Sequence, residues 1–379
     1  MSPWGLEHHR GQMLLHAGKE RRSFFICRLF PSRYLPMQPL ERTVYQTLSS
    51  ESLLQPNSRL VVAVSGGPDS TALLHILARL ATPLAVELVA VYVDHGLRPA
   101  EVPAEEQLVR ECAGRLGLPW EVVRVATATE AVARKWSVEQ AARELRYQAL
   151  ARIQEKYDAA ALAVAHTADD QVEELLLRLL RGSSRKALSG MQVSSRGIIR
   201  PLLSVFKHQI YAYLEERQIV FCQDSSNRDP AYLRNRIRHQ LLPLLEQEYD
   251  QGIRKALLKT AANLSEDEHY LAGVVEQLQA EVLVSQRDSW GRLIFPVQLD
   301  RSCLAGHHPA LQRRFLESLL WEMGSAAQYE QIMALVRAAA GGRNGSELHL
   351  SRGLRVGISR DRLSFEYPRG RVAWRGSGR

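Results

Sequence analysis

The stretch Ser65-Gly66-Gly67-Pro68-Asp69-Ser70 contains the residue types of a phosphate-binding loop. An apolar run at 60–64 precedes it and leucines at helical spacing follow it, which predicts a strand, a tight loop and a helix. Glycines let the backbone approach a ligand closely, and the first N–H groups of a helix are unpaired and attract phosphate. Because Asp69 would repel a polyphosphate unless Mg²⁺ bridged the two, the loop predicts a site for a magnesium-bound nucleotide.

This loop differs from two common nucleotide-binding patterns. The sequence has no GxxxxGK(S/T) segment, so it contains no Walker loop, and it has no GxGxxG fingerprint of dinucleotide-binding proteins. Two glycines after a strand also occur in ordinary α/β turns. The carboxylate and the two serines beside them favour ligand binding here.

A second group of polar residues follows another apolar run, at 160–165. His166 is followed by four acidic residues in the first turns of a predicted helix: Asp169, Asp170, Glu173 and Glu174. Stabilisation of the helix dipole, about 0.3–1 kcal/mol per acid, would explain one or two of them. Four acids together with a histidine favour a site for a cationic amine or for Mg²⁺.

Arg143 lies four residues before Tyr147 and four after Glu139, so the three side chains share one face of a predicted helix. Two interpretations remain open. Arg143 forms a surface ion pair with Glu139, or its planar guanidinium binds a phosphate of the nucleotide.

A third polar segment is basic and contains Arg228, Arg234, Arg236 and Arg238. On a helix Arg234 and Arg238 lie on one face and Arg236 points elsewhere. A basic helix near a nucleotide site is typical of contacts with an RNA phosphate backbone. A solvated, non-functional helix surface is the alternative.

Strands predicted at 60–64, 86–93, 121–125 and 160–165 alternate with helices. This order indicates an α/β fold with a doubly wound parallel sheet, in which ligands bind at the carboxyl ends of the strands. The three polar loops 65–70, 94–99 and 166–171 all fall there. Amphipathic helices at 253–285, 309–323 and 327–339 then predict a mainly helical second domain, and 347–358 predicts a small hairpin that forms a strand-rich end.

The length of 379 residues suggests two or three domains. We expect a poorly ordered basic extension at 1–36, a catalytic domain at 37–225, a connecting helix at 226–250, a helical domain at 251–367 and a basic tail at 368–379. The net charge of +8 comes from the ends, with +4 in 1–36 and +6 in 341–379, which favours a nucleic-acid partner.

Four isolated cysteines form no CxxC pair, so neither a zinc knuckle nor a redox dithiol is indicated, and a reducing cytoplasmic location is expected. No apolar run reaches the length of about 18–20 residues that spans a membrane.

Six segments in this order resemble the tRNA(Ile)-lysidine synthase family of PP-loop ATP pyrophosphatases. They are SGGPDS, VDHGLRP, EQAARELRY, AHTADDQVEELLLRLLRGS, RPLL and DSSNRDPAYLRNRIRHQLLPLL, and they cover about 60–245. The resemblance implies a catalytic domain of the adenine nucleotide α hydrolase-like type. It also implies a ligase that adenylates C2 of the wobble cytidine in a CAU-anticodon isoleucine tRNA and then attaches L-lysine.

The resemblance also assigns roles to individual residues. ATP would be bound by Ser65, Gly66, Gly67, Pro68, Asp69, Ser70, Asp94, His95 and Arg143, and Asp69 would be the Mg²⁺ ligand. The catalytic residues would be Asp69, His166, Asp170 and Glu174, with Asp170 or Glu174 as the base that accepts the proton of lysine. The tRNA would contact Arg228, Arg234, Arg236 and Arg238.

The sequence departs from the family pattern after RPLL, where Val205-Phe206-Lys207 replaces a polar-arginine step. Lys207 supplies the charge but not a bidentate contact. The short strand-rich end resembles the shorter members of the family. The amphipathic helices between 253 and 339 also offer a surface for a homodimer.

Three other functions would have different requirements. A tRNA thiolase would need paired cysteines, and an amidating ligase for small molecules would need an ammonia source. A nucleotide-sensing RNA-binding protein without turnover would not need Asp69, His166 and Asp170.

Overall fold

The computed structural model describes residues 37–51, 53–182, 185–222 and 232–368. The expected extension at 1–36, Arg228, the boundary at 225–226 and nearly all of the expected tail lie outside these residues. The chain divides into two compact units, one formed by the described residues of Met1–Gly66 with Leu74–Leu162, the other by Gly67–Leu73 with the described residues from Ala163 onward. The expected domain boundaries remain predictions.

The first part of the chain alternates helices and strands as predicted. The elements are α1 (Pro39–Ser50), β1 (Arg59–Ala63), α2 (Pro68–Leu84), β2 (Glu87–Asp94), α3 (Val102–Arg115), β3 (Trp120–Arg124), α4 (Thr127–Arg134), α5 (Val138–Lys156) and β4 (Ala161–Ala163). Ser137 Oγ accepts the Gln140 N–H at 3.1 Å and so caps α5, as its sequence position indicates. The short helix α4 was not predicted.

The strands of this part form a parallel sheet. β1 pairs with β2 with Val61 opposite Val89, and β2 pairs with β3 with Val91 opposite Glu121. Leu60, Val61 and Val62 are fully buried, which is typical of a parallel strand covered on both faces. The strand order is β3-β2-β1-β4-β6-β5, where the last two strands form an antiparallel hairpin that the sequence did not predict. The predicted α/β class is confirmed.

The second part of the chain is mainly helical and ends in strands. Its elements are α6 (Ala168–Leu180), α7 (Arg185–Leu188), β5 (Ser194–Ser195), β6 (Ile198–Ile199), α8 (Lys207–Glu216), α9 (Leu233–Arg236), α10 (Leu242–Glu248), α11 (Ile253–Val282), β7 (Val297–Asp300), α12 (Arg301–Gly306), α13 (Pro309–Glu322), α14 (Tyr329–Gly341), β8 (Glu347–His349), β9 (Arg355–Ile358) and β10 (Arg362–Glu366).

A π-helical turn at Ile237–Leu241 joins α9 to α10. Pro243 is the second residue of α10 and has no N–H to donate to the preceding turn, so the α-helical pattern restarts there, as predicted. Ile237 and Leu242 pack with Val172 and Leu176 of α6 in one buried cluster. This packing fixes α9 and the π-helical turn beside the acidic start of α6.

The C-terminal strands form a larger sheet than the predicted hairpin. The order is β7-β10-β9-β8, and β7 pairs antiparallel with β10, so that Leu299 lies opposite Leu363. Buried and less buried residues alternate along β9 and β10, and the buried face joins a core that includes Phe315 and Phe365.

Candidate functional site

The loop between β1 and α2 has the backbone of a ligand-binding turn. Gly66 has φ +80°, a backbone conformation that residues other than glycine rarely adopt. Helix α2 begins at Pro68, and Ser70 Oγ donates a hydrogen bond to Gly67 O at 3.1 Å. The N–H groups that follow Pro68 belong to the first turn of the helix, which has no intrahelical acceptor for them. The loop can therefore offer N–H donors and the helix dipole to an anion.

Asp69 is the acidic residue of this loop, and its two oxygens differ. Oδ1 is buried without a hydrogen-bond partner, whereas Oδ2 lies 3.5 Å from Lys207 Nζ. Burial raises the pKa of Asp69, against the opposing effect of Lys207 and with support from the nearby Asp170 carboxylate. A buried carboxylate oxygen without a partner is the donor type that Mg²⁺ prefers, so this residue fits a magnesium ion.

Asp170 forms a reciprocal cap at the start of α6. Its Oδ2 accepts the Thr167 N–H and the Thr167 hydroxyl, both at 2.9 Å, and Thr167 Oγ1 accepts the Asp170 N–H at 3.3 Å. Burial by itself would raise the pKa of Asp170, but Lys207, Arg234 and the Thr167 N–H outweigh it and hold the pKa below its ordinary value. Asp170 therefore stays ionised at neutral pH.

Glu173 joins α6 to the basic segment that follows it in sequence. Its side chain is 1% exposed and accepts Arg234 Nε at 2.9 Å and Arg238 Nε at 2.6 Å. Both arginines also approach Asp170 Oδ1, at 3.4 and 3.5 Å. Arg234 and Arg238 thus share one face, as predicted, but that face binds the carboxylates of α6. Arg236 is exposed.

The other two acids of α6 also have partners within the chain. Asp169 Oδ1 accepts Arg254 Nη1 at 2.9 Å, and its Oδ2 accepts the Lys207 N–H at 2.8 Å. Glu174 Oε1 accepts Arg178 Nε at 2.7 Å. Arginines of the same chain therefore pair with all four acids. The sequence had predicted an amine or Mg²⁺ as the partner of these acids.

His166 and Arg200 lie side by side at the end of β4. Arg200 is buried, and its Nε donates to His166 Nδ1 at 3.3 Å while its Nη1 donates to Gln192 O at 2.8 Å. In a neutral His166 this contact leaves the proton on Nε2.

The loop after β2, in the first unit, holds a second polar pair. Asp94 Oδ1 accepts the Gly96 N–H at 2.8 Å. His95 Nδ1 is buried without a hydrogen-bond partner. Burial, with the nearby Arg146 and Arg98, lowers the pKa of His95 to about 4, against the opposing effect of Asp94. The imidazole is therefore neutral at pH 7 and can hydrogen-bond a neutral group such as a nucleobase.

Arg143, in the same unit, is exposed and stacks on an aromatic ring. Its guanidinium carbon lies 5.3 Å from the ring centre of Tyr147, and that of Arg146 lies 5.4 Å from it. The Tyr147 hydroxyl is buried without a hydrogen-bond partner. A cation–π contact thus holds Arg143 on the predicted face of α5.

The structure brings Asp69, Asp170 and Lys207 together within the second unit, with Arg234 and Arg238 beside them. Gly67, Pro68 and Ser70 belong to that unit, as do His166 and Glu174. Ser65, Gly66, Asp94, His95 and Arg143 belong to the first.

Sequence reasoning gave no individual role to Glu173, Arg254, Arg200 or Arg146. Arg200 could have been found as the first residue of RPLL. The others carry no local signal, because their importance comes from partners far away in sequence.

Comparisons with known proteins decide the family. The family model for the PP-loop domain matches residues 37–245. A tRNA(Ile)-lysidine synthase of Geobacter sulfurreducens is 34% identical over 87% of this chain and 69% of its own length. One from Symbiobacterium thermophilum is 33% identical over 86% of the chain and 69% of its length. The chain belongs to the tRNA(Ile)-lysidine synthase family.

Among solved structures, a U34-tRNA thiolase from Methanococcus maripaludis with its [4Fe-4S] cluster is similar in fold. The TM-score is 0.50 at 17% identity, over 60% of this chain and 78% of that one. This likeness supports the PP-loop fold. In the described part of the chain, no helix combines the length and apolar character needed to cross a membrane.

Proposed function

We propose that this protein ligates L-lysine to C2 of the wobble cytidine in a CAU-anticodon isoleucine tRNA. ATP first adenylates the C2 oxygen and releases pyrophosphate. The ε-amine of lysine then attacks C2 and expels AMP, which gives lysidine and changes the codon that is read from AUG to AUA. Family membership and the positions of the acidic residues support this reaction.

The observation that carries the proposal is the convergence of Asp69 and Asp170 on Lys207. The two carboxylates come from the first turns of different helices, yet Asp170 helps to raise the pKa of Asp69, and the Lys207 ammonium lowers the pKa of both. A polyphosphate bound at the first loop and a cationic amine bound near the second would therefore meet. Such an arrangement brings reactants together and stabilises developing charge, which are the main sources of rate in phosphate chemistry.

On the nucleotide side, Ser65, Gly66, Gly67 and Ser70 bind the β and γ phosphates in this proposal, with Pro68 starting the helix that presents its N–H groups. Asp69, whose Oδ1 has no hydrogen-bond partner, would hold Mg²⁺. The ion would neutralise charge on the phosphates. Asp94, His95 and Arg143 contact the rest of ATP, and neutral His95 suits a hydrogen bond to adenine.

On the amine side, the two candidate bases receive different roles. Asp170 has a lowered pKa and is bonded to Thr167 and two arginines, so it acts as a fixed negative charge that attracts the lysine ammonium. A carboxylate with a lowered pKa is a weak base. Glu174 lies one turn further along α6 and accepts the proton of the amine in this proposal. His166, which helps to lower the pKa of Asp170, completes the catalytic set in this proposal.

The decisive experiment is mass analysis of the wobble nucleoside after incubation with ATP, Mg²⁺, L-lysine and the CAU-anticodon isoleucine tRNA. The expected product is lysidine, absent when any one component is omitted. A methionine tRNA with the same anticodon is the matched control and should stay unmodified. Unchanged cytidine in the complete reaction would contradict the proposal.

Exchange between ATP and labelled pyrophosphate separates the two steps. Exchange that needs tRNA but no lysine supports adenylation first. ATP and tRNA binding without exchange would indicate a nucleotide-sensing protein instead.

A further inference from the structure

A cluster of three metal-ligating side chains lies in the helical part of the second unit, apart from the residues described above. In the described residues, Glu281, Cys303 and His307 form the one group of three in which all ligand atoms lie within 4.8 Å of one another. His307 Nε2 is 3.2 Å from Glu281 Oε2 and 4.0 Å from Cys303 Sγ. The cluster therefore consists of a carboxylate, a thiol and an imidazole.

These separations are close to those of a tetrahedral zinc site. Zinc binds thiolate sulfur at about 2.3 Å and imidazole nitrogen or carboxylate oxygen at about 2.0–2.2 Å, which places neighbouring donors roughly 3.3–3.6 Å apart. The nitrogen–oxygen distance already agrees, and the sulfur–nitrogen distance needs a shift of less than about 1 Å. The Glu281 side chain is 59% exposed and can make such adjustments.

The backbone that carries the three ligands is fixed by packing. Glu281 precedes Val282 near the end of α11, and Cys303 precedes Leu304 in α12; both apolar neighbours are fully buried in the same core. The carbonyl of His307 accepts Gln312 Nε2 at 2.7 Å. Because the backbone is held by this core at Glu281 and Cys303 and by hydrogen bonds at His307, a metal ion would bind with little loss of backbone conformational freedom.

We propose that Glu281, Cys303 and His307 bind one Zn²⁺ ion, with water as the fourth ligand. The thiolate and the carboxylate neutralise the charge of the ion, and one soft and one imidazole donor select Zn²⁺ over Mg²⁺ or Ca²⁺. The exposed side of Glu281 leaves a path for the ion and the water. The bound ion would link the C-terminal end of α11 to α12. This site is independent of the proposed ligase activity.

The test uses the full chain, reduced with a phosphine and freed of metal by chelation. Co²⁺ is added as a spectroscopic substitute, followed by Zn²⁺ in competition with a chromogenic chelator. We expect one equivalent of metal per chain, a thiolate-to-cobalt charge-transfer band in the near ultraviolet, and loss of that band when Zn²⁺ displaces Co²⁺. The absence of the charge-transfer band would overturn the proposal.

Variants identify the ligands. Cys303→Ser should abolish the charge-transfer band, and Glu281→Gln and His307→Gln should each weaken Zn²⁺ binding roughly tenfold or more. The matched controls are Cys222→Ser and His349→Gln, since His349 forms an exposed pair with Glu347 at 3.4 Å without a cysteine. Both controls should bind as the unaltered chain does.

Two outcomes of the variant series would contradict the site. A charge-transfer band that persists in Cys303→Ser would place the metal at another thiol. Unchanged Zn²⁺ affinity in Glu281→Gln would reject the three-ligand set, and since this side chain is exposed, the variant should fold normally.

Discussion

Polar side chains after β1 and β2 differ from those of the helix α6 in whether their polar atoms have hydrogen-bond partners. In the loops, Asp69 Oδ1 and His95 Nδ1 are buried and have no hydrogen-bond partner. In α6, each of the four acidic side chains is bonded to an arginine of the same chain. Since buried polar groups in proteins are normally paired, these two unpaired atoms are the strongest candidates for direct ligand contacts, whereas Asp170 and Glu174 would act on the amine while bonded to arginines.

This contrast separates binding groups from scaffold groups of the same residue type. The carboxylates of Asp69 and Glu173 are both largely buried, yet one lacks a partner for Oδ1 and the other accepts two arginines. A cluster of acids in a sequence therefore does not show by itself which member binds substrate. The positions of the neighbouring arginines and lysines show which carboxylates are already paired.

Asp69→Asn should have the largest effect on the reaction. The amide replaces an oxygen that we assign to Mg²⁺, and lysidine formation should fall by about a thousandfold or more, equivalent to about 4 kcal/mol. The measurement is single-turnover lysidine formation at saturating ATP. The free energy of unfolding should be unchanged or higher, because the buried charge is removed.

Asp361→Asn is the control for this change, since Asp361 is an exposed aspartate far along the chain. It should retain full activity. Activity within tenfold of normal in Asp69→Asn would mean that Asp69 is not the metal ligand.

Glu173→Gln should have the largest effect on stability. It removes the buried carboxylate that both half-buried arginines, Arg234 and Arg238, contact most closely, and breaking a buried ion pair costs about 3–5 kcal/mol. We expect a loss near 3 kcal/mol in the free energy of unfolding, measured with urea, because Asp170 retains part of the interaction.

Glu268→Gln provides the comparison, because Glu268 accepts both terminal nitrogens of Arg314, at 2.6 and 2.7 Å, in a less buried position. Its loss should be clearly smaller. Equal losses in the two variants would show that Glu173 has no special role in joining α6 to the basic segment.

Much of the fold could be predicted from the sequence, because it depends on local patterns. Buried strands such as Leu60–Val62 show as apolar runs, and Ser137 and Pro243 mark a helix start and a restart by their own chemistry. The pairing of β7 with β10 could not be predicted, since it joins short strands more than sixty residues apart.

The sequence predicted which residues belong to the candidate site better than it predicted which residues they contact. The residues of the 65–70 loop have types that point to phosphate regardless of context. By contrast, Arg234 and Arg238 look like RNA contacts in sequence, and only the structure shows Glu173 between them. Their contact with RNA stays a proposal, now with a structural role beside it.

His95 gives a prediction for pH dependence. Its pKa is about 4 in the folded protein and about 6.5 when unfolded, so the unfolded chain binds more protons between these values. The free energy of unfolding should therefore fall as the pH drops from 6.5 towards 4. The His95 contribution is at most about 1.4 kcal/mol per pH unit.

His95→Gln should reduce this slope relative to the unaltered chain, measured by urea unfolding at pH 7, 6 and 5. His349→Gln, which alters an exposed histidine, should leave the slope unchanged. Equal slopes in all three proteins would mean that His95 is not protected from protonation.

The smallest change in affinity or stability is expected for two arginines of the basic segment that differ in their partners. Arg236 is exposed, whereas Arg238 is bonded to Glu173 through both Nε and Nη2. If exposure decides which arginine reaches RNA, Arg236→Gln should reduce the slope of log affinity against log salt by about 0.7–0.9, the value for one lost phosphate contact. The free energy of unfolding of Arg236→Gln should stay within about 0.5 kcal/mol of the unaltered chain.

Arg238→Gln should show the reverse, with lower stability and an unchanged salt slope. A reduced salt slope in Arg238→Gln at full stability would instead assign that arginine to the RNA-binding surface and remove the distinction between binding and scaffold groups drawn above.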